Sequence, residues 1–466
     1  LHSYQVLIIG GGPGGYESAI RLNQYGITCA VVEHQRIGGI CLNWGCIPTK
    51  ALVKSAELYT EMKEAQLYGL PPLEARADYP LVFERKNKTV EQLVSGIEFL
   101  FRKRGIPVIA EKAVSVSASP RGYLVRTDQG TEIETEFLII ATGSVPKELP
   151  GIRIDEQNIL SSTGILNLSG LPDSLAVVGG GVIGCEFASI MNSFGVRTHI
   201  VEFLPRIVST EDEELSKRLS LALKKAGIRI STGVGVQSIA TTAEGQEVTL
   251  SDGNKLTVDK VLLSVGRTPA NNLEWNGLQL ACERGAIGID GQMRTSLPKV
   301  YAIGDVTGKM QLAHTASKQG LIAVEHIRSC INGTPHDHPE LDYANIPRCT
   351  FTNPELASVG LTEDEAKEKF SDILVGKFPF SANGKAIAMG SSFGFVKTIA
   401  RADTSALVGL HIIGANAAEL IAQGAILIAQ GATPGQVENV VFAHPTLSEA
   451  LKEAIEDIRS LSIHKL

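Results

Sequence analysis

A chain of 466 residues with 44% hydrophobic and 20% charged side chains is long enough for about three domains and too apolar to stay disordered. The net charge of −7 and the lack of a basic block argue against nucleic acid as a partner. No apolar run of roughly 18 residues escapes polar interruption, so no membrane span is expected.

No signal peptide is expected, because Leu1 to Tyr4 runs straight into an expected strand, QVLII (5–9). GGGPGG follows and places Gly10, Gly12 and Gly15 as G-x-G-x-x-G. A helical segment comes next, then TCAVVE, which ends in Glu33. The first glycine permits a tight turn, the second lets backbone approach a pyrophosphate, and the third lets helix and strand pack closely. The acid suits the hydroxyls of an adenosine ribose.

The stretch GGICLNWGCIPTK (38–50) carries Cys41 and Cys46. Its C-x4-C spacing, with no second Cys/His pair nearby, is a poor zinc pattern. On an ideal helix the two Cα atoms would be roughly 8.6 Å apart, beyond disulfide reach. A bonded pair therefore requires a break in the helix, for which Gly45 and Pro48 are the candidates. So short a loop restrains the unfolded chain little, so the bond is a poor staple and suits a reducible switch. The seven cysteines are few and odd in number, which fits a reducing compartment better than a secreted scaffold.

TEFLIIATGS (135–144) is an apolar strand breaking at Gly143. At 175–202 the first unit recurs: LAVVGGGVIG gives Gly179, Gly181 and Gly184, and RTHIVE ends in Glu202. The acid lies 23 residues after the first glycine in both copies, 10 to 33 and 179 to 202. Two such units imply two dinucleotides, with hydride passing between them. A carboxylate at 202 favours NAD over NADP, although Arg206 lies close in sequence. DKVLLSVGRTP (259–269) breaks at Gly266, and KVYAIGDV (299–306) ends in Gly304 and Asp305, an acid that could face a ligand. From about 346, strand-like runs give way to helical ones, as in a separate α+β domain. The apolar run 418–432 is expected to be a buried helix. Near the end, His444 precedes Pro445, and Glu449 stands five positions on, able to hold the ring's tautomer.

Five motifs in order carry a resemblance that spans essentially the whole chain: the first glycine unit, GGICLNWGCIPTKAL, the second glycine unit, YAIGD with MQLAHTASKQG, and AHPTLSEAL. The sequence resembles the pyridine nucleotide-disulfide oxidoreductases, and among them most the members that oxidise dihydrolipoyl groups. The resemblance implies an α/β fold with two Rossmann-like dinucleotide-binding domains and a C-terminal α+β dimerisation domain. The segments implied are an FAD-binding domain (1–149), an NAD-binding domain (150–272), a central domain completing the FAD site (273–345) and an interface domain (346–466). Cys41 would be the interchange thiol and Cys46 the charge-transfer thiolate beside the flavin. Lys50 would approach the flavin and pair with Glu186. Asp305 would bind the ribityl chain, with Ala313 and His314 in the same loop. His444, oriented by Glu449, would serve as base at the partner subunit's disulfide in a homodimer. No metal is implied. The lipoyl group would arrive on another chain, the E2 subunit of a 2-oxo acid dehydrogenase complex or the H protein of glycine cleavage. The compartment would be a bacterial cytoplasm, or an organelle matrix after loss of a leader. Rival readings are a related disulfide reductase and a flavin-bearing assembly subunit. The last cysteine, Cys349, speaks against reductases that need C-terminal cysteines. Trp44, Phe442 and Arg348 depart from the family pattern, and their bulk or charge would narrow the dithiol channel.

Overall fold

The computed structural model describes residues 2–72, 74, 76–335 and 339–465. The chain forms two compact units, each assembled from separated stretches: 1–51, 80–147 and 266–341 in one, and 52–79, 148–265 and 342–466 in the other. Among the described residues no helix is long and apolar enough to cross a membrane.

In the first unit, β1 (His2–Ile9) buries Val6 to Ile9 without alternation, as a strand covered on both faces must. The glycine turn leads into α1 (Pro13–Gln24) and then β2 (Cys29–Val32), whose four residues are all buried. Leu1 lies outside the described residues. Next come α2 (Gly39–Trp44) and the start of α3 (Cys46–Lys63). A long helix, Tyr79–Arg104, turns Val90, Val94, Ile97 and Phe101 inward on one stripe. β3 (Glu132–Ile140) is parallel to β1, with β2 on the far side; Ile8 stands opposite both Val31 and Ile139. The first part of β3 pairs with an antiparallel strand, Gly122–Thr127, and its end pairs in parallel with Val300–Ala302. The helix Ala313–Asn332 packs on α1 through two glycines. A Cβ on Gly14 would meet Ala316 O at 2.9 Å, and one on Gly320 would meet Gly14 O at 2.8 Å.

The second unit repeats the motif: β4 (Ser174–Val178), α4 (Val182–Ser193), β5 (Arg197–Glu202), then α5 (Glu213–Lys225) and β6 (Lys260–Leu263). Its five parallel strands run in the order Arg229–Thr232, β5, β4, β6, Ile159–Leu160. An antiparallel meander follows β5 in the chain at 236–258.

The C-terminal part of this unit is an antiparallel sheet in the order β7 (Arg348–Thr350), β8 (Leu356–Gly360), β11 (Leu407–Ile413), β10 (Phe395–Arg401), β9 (Ile373–Pro379). α6 (Ala417–Ala429) and α7 (Ser448–Asp457) cover one face. Thr398 donates to Ala454 O at 2.8 Å, so its neighbour Lys397 points to the other face. α6 is not the wholly buried helix that its apolar sequence suggests. Leu420, Ile421 and Gly424 face the sheet, while Ile426 is 64% exposed. Its apolar residues cover more of the circumference than one sheet can bury.

The other face of this sheet carries a polar row. Arg348, Ser358, His411, Lys397 and Lys377 stand directly opposite one another across all five strands. The acidic run at the start of α5 meets this row. Arg348 Nε lies 3.1 Å from Glu211 Oε1, Lys397 Nζ 2.8 Å from Asp212 Oδ2, and Lys377 Nζ 2.6 Å from Glu214 Oε1. The Ser358 hydroxyl donates to Glu211.

Candidate functional site

The two glycine turns are built alike. Gly10 (φ +109°) and Gly179 (φ +106°) occupy conformations that disfavour a side chain, and a Cβ on either would strike the carbonyl oxygen of Ala141 (2.1 Å) or Ser264 (2.4 Å). A Cβ on Gly15 or Gly184 would lie 2.0 Å from the carbonyl oxygen of the first glycine in its own turn. Gly12 and Gly181 are different: an added Cβ finds nothing closer than 4.0 Å at Gly12 and nothing within that distance at Gly181. These second glycines border open space at the starts of α1 and α4, and neither helix has a side-chain cap. The helix N–H groups are left for a phosphate.

Both acids hold the turns in shape. Glu33 accepts from Gly11 N (2.8 Å) and Gln35 N (2.8 Å), and Glu202 accepts from Gly180 N (2.5 Å) and Leu204 N (2.7 Å). Each carboxylate retains lone pairs for a ribose hydroxyl. Open second glycines, uncapped helices and oriented acids fit two dinucleotides. Arg206 is turned to other work: its guanidinium donates to Ser209 O (2.9 Å) and Glu211 O (2.8 Å).

Asp305 follows the strand Val300–Ala302 in a 3-10 turn, Gly304–Thr307. It accepts from Ser144 Oγ at 2.5 Å, and Ser144 is in turn held by Arg267 through Nε to Oγ (2.7 Å) and Nη2 to O (2.7 Å). Gly143 (φ +74°) and Gly266 (φ +106°) make the turns that deliver Ser144 and Arg267. Burial draws the Arg267 pKa down, while Asp305 and Cys46 hold it up. Sequence reading found the acid and both glycines but not Ser144 and Arg267, whose polar residue types after a glycine were the available signal. Ala313 opens the helix Ala313–Asn332, with His314 next to it.

Cys41 lies in α2, and Cys46 is the first residue of α3. Between them Gly45, at φ −147° and ψ −111°, breaks the helix. A Cβ there would meet Ile40 O at 2.9 Å and Cys41 Cα at 3.3 Å, so the break needs glycine. Pro48 sits within the first turn of α3, where its missing N–H costs nothing, and does not distort the chain. Both cysteines are thiols. A side-chain hydrogen bond to Cys46, then burial, push the Cys41 thiol up, while Lys50 acts the other way. Lys50 follows Cys46 by one turn of α3.

Glu186 is buried on α4 and accepts from Phe351 N at 2.9 Å. Lys50 and Glu186 fall in different units. His444 and Glu449 come together: Nδ1 lies 2.9 Å from Oε1, and Oε2 accepts from Thr446 N at 2.8 Å. Burial raises the Glu449 pKa, but the Thr446 N–H and His444 outweigh it and hold the carboxyl below its usual range. The His444 side chain is 77% exposed. Arg348, expected to bring charge to a dithiol channel, is instead neutralised by buried Glu211. Phe442 packs against the core of the C-terminal sheet, and Trp44 is half-buried.

Residues 4–320 match the family model described as pyridine nucleotide-disulphide oxidoreductase, and residues 346–455 match that family's dimerisation domain. Curated proteins named dihydrolipoyl dehydrogenase are 40% identical, from Bacillus subtilis over 99% of both chains and from Zymomonas mobilis over 99% of both. Among solved structures, LpdA from Mycobacterium tuberculosis superposes with a TM-score of 0.87 at 26% identity, covering 98% of this chain and 99% of that one. The flavoprotein disulfide reductase RclA from Escherichia coli gives 0.86 at 29% identity, covering 97% and 99%. Two dinucleotide turns, a thiol pair at a glycine break, and matches over nearly the full length make this chain a member of the pyridine nucleotide-disulphide oxidoreductase family.

Proposed function

We propose that the protein is a dihydrolipoyl dehydrogenase: it oxidises protein-bound dihydrolipoyl groups to the cyclic disulfide and reduces NAD⁺ to NADH. The observation that carries this reading is the Cys41–Cys46 thiol pair, brought together by the break at Gly45. The first glycine turn, with Glu33, Ser144, Arg267 and Asp305, would hold FAD. The second, with Glu202, would hold NAD. Bound FAD supplies the two-electron relay between the cysteine pair and NAD⁺.

The residues of the chain divide the rest of the work. Glu449 fixes Nδ1 of His444, leaving Nε2 to take a proton from one substrate thiol. The resulting thiolate attacks Sγ of Cys41 in the oxidised pair, and the Cys41–Cys46 bond breaks with the electron pair on Cys46. The second substrate thiol, deprotonated, attacks the mixed disulfide, which releases the cyclic disulfide and leaves Cys41 reduced. Cys46 begins α3, where the helix N-terminus favours a thiolate, and Arg267 lies in its field. The upward push on Cys41 supports the same division, with the proton on Cys41 and the charge on Cys46.

His444 points outward, and α6 leaves apolar surface uncovered. Both suit a homodimer in which His444 serves the partner subunit's cysteine pair. The lipoyl donor is an E2 subunit or the glycine cleavage H protein. Steady-state assay of the purified protein tests the proposal: dihydrolipoamide-dependent NADH formation is expected, with little turnover of NADP⁺. Turnover of another disulfide, with none of dihydrolipoamide, would transfer the substrate to a related reductase.

A further inference from the structure

Phe203 is a large aromatic residue left 75% exposed directly after Glu202. It is held in place from two sides. The Glu202 carboxylate draws in Gly180 N and Leu204 N, which fixes the chain before and after the ring. Gly233 N donates to Leu204 O (2.9 Å) and Val234 N to Glu202 O (3.1 Å), so segment 233–235 runs alongside. A Cβ on Gly235 would lie 3.3 Å from Phe203 Cδ2 and 3.9 Å from Cε2. The ring thus rests on a glycine backbone and keeps its remaining surface open to solvent.

We infer that Phe203 is the stacking platform for the adenine of the nicotinamide dinucleotide. The inference rests on the proposed NAD role of the second glycine turn. Glu202 sits where the adenosine ribose is read, so the base attached to that ribose extends past the end of β5, where residue 203 begins. A flat, fixed, exposed ring offers a purine area without a hydrogen-bonding demand. Arg206, tied to Ser209 O and Glu211 O, provides no competing contact to a 2′-phosphate.

Calorimetric titration with ADP-ribose, which carries the adenine half without the redox ring, tests this on the FAD-loaded protein. Loss of a base–aromatic stack corresponds to roughly fivefold or more in affinity. Phe203→Ala is expected to weaken ADP-ribose by at least that factor, and Phe203→Tyr to restore it. In F203W, ADP-ribose should quench the added indole fluorescence, while ribose 5-phosphate should not. Equal ADP-ribose affinity in wild type and F203A, or an indole blind to ADP-ribose, would overturn the platform while leaving the NAD site standing. A wild-type protein that binds no ADP-ribose would overturn the NAD reading itself.

Discussion

Replacing Lys397 by Met breaks the polar row between His411 and Lys377. The Lys397 side chain is 1% exposed, and its Nζ lies 2.8 Å from Asp212 Oδ2, 2.6 Å from Glu363 Oε2 and 3.5 Å from Glu214 Oε2. Asp212 is itself 2% exposed, so the substitution strands a carboxylate. Breaking a buried pair in this way costs about 3–5 kcal/mol. Asp212 keeps the N–H groups of Glu214 and Glu363, which places the expected loss near the lower end, about 3 kcal/mol. At about 2–4 °C per kcal/mol for a unit of this size, Tm should fall by about 6–12 °C. The pH dependence has a definite sign. Burial opposes ionisation of Asp212, but Lys397 and the backbone donor hold its pKa below the ordinary value. Its contribution is present above the unfolded-state pKa and is lost as pH falls through the folded one. The Lys397 pKa is raised despite burial, so its contribution persists through neutral pH and fades only as pH rises through the folded value. The gap between wild type and K397M, followed by scanning calorimetry, should be widest near neutral pH and narrow in acid. Asp212→Asn should cost less in the K397M background than in wild type, because the two charges act as a pair. A Tm loss below about 2 °C, or strict additivity of the two substitutions, would refute the reasoning.

Other predictions concern the reactive residues. Cys41→Ser should keep FAD and lose dihydrolipoamide oxidation; lipoamide turnover near the wild-type rate would contradict its role. His444→Gln should slow thiol oxidation by roughly 10²–10⁴-fold, the range of general-base catalysis, while NADH-to-dye transfer falls far less. Equal losses in the two assays would argue against the base. Gly45→Ala should force Ile40 O and Cys41 away from the break and depress reduction of the pair without displacing FAD; stopped-flow mixing with dihydrolipoamide reads the difference.

Local features of the site were legible in the sequence. Gly10, Gly12, Gly15 and Glu33, and their counterparts Gly179, Gly181, Gly184 and Glu202, lie within short segments whose spacing is set by one turn, one helix and one strand. His444 and Glu449 are five residues apart and meet. The need for a helix break between Cys41 and Cys46 followed from helix geometry, although of the two suspected residues only Gly45 makes it. What the sequence concealed is long-range. Ser144 meets Asp305 across 161 residues and Arg267 across 123. The row from Arg348 to Lys377 exists only once five strands pair in a mixed order, β7-β8-β11-β10-β9. The partner of Arg348 was hidden for the same reason, since Glu211 is 137 residues away.

Electrons are expected to enter at Cys41 and Cys46 from a dihydrolipoyl dithiol and to leave as NADH. Anaerobic mixing of the FAD-loaded protein with dihydrolipoamide, followed by NAD⁺ or NADP⁺ in separate syringes, tests it most directly. Wild type should show a long-wavelength absorbance band that is absent in C46S, then rapid NADH formation with NAD⁺ alone. A protein that dihydrolipoamide fails to reduce, while NADH reduces it readily, would contradict the claim and leave the cysteine pair to another disulfide.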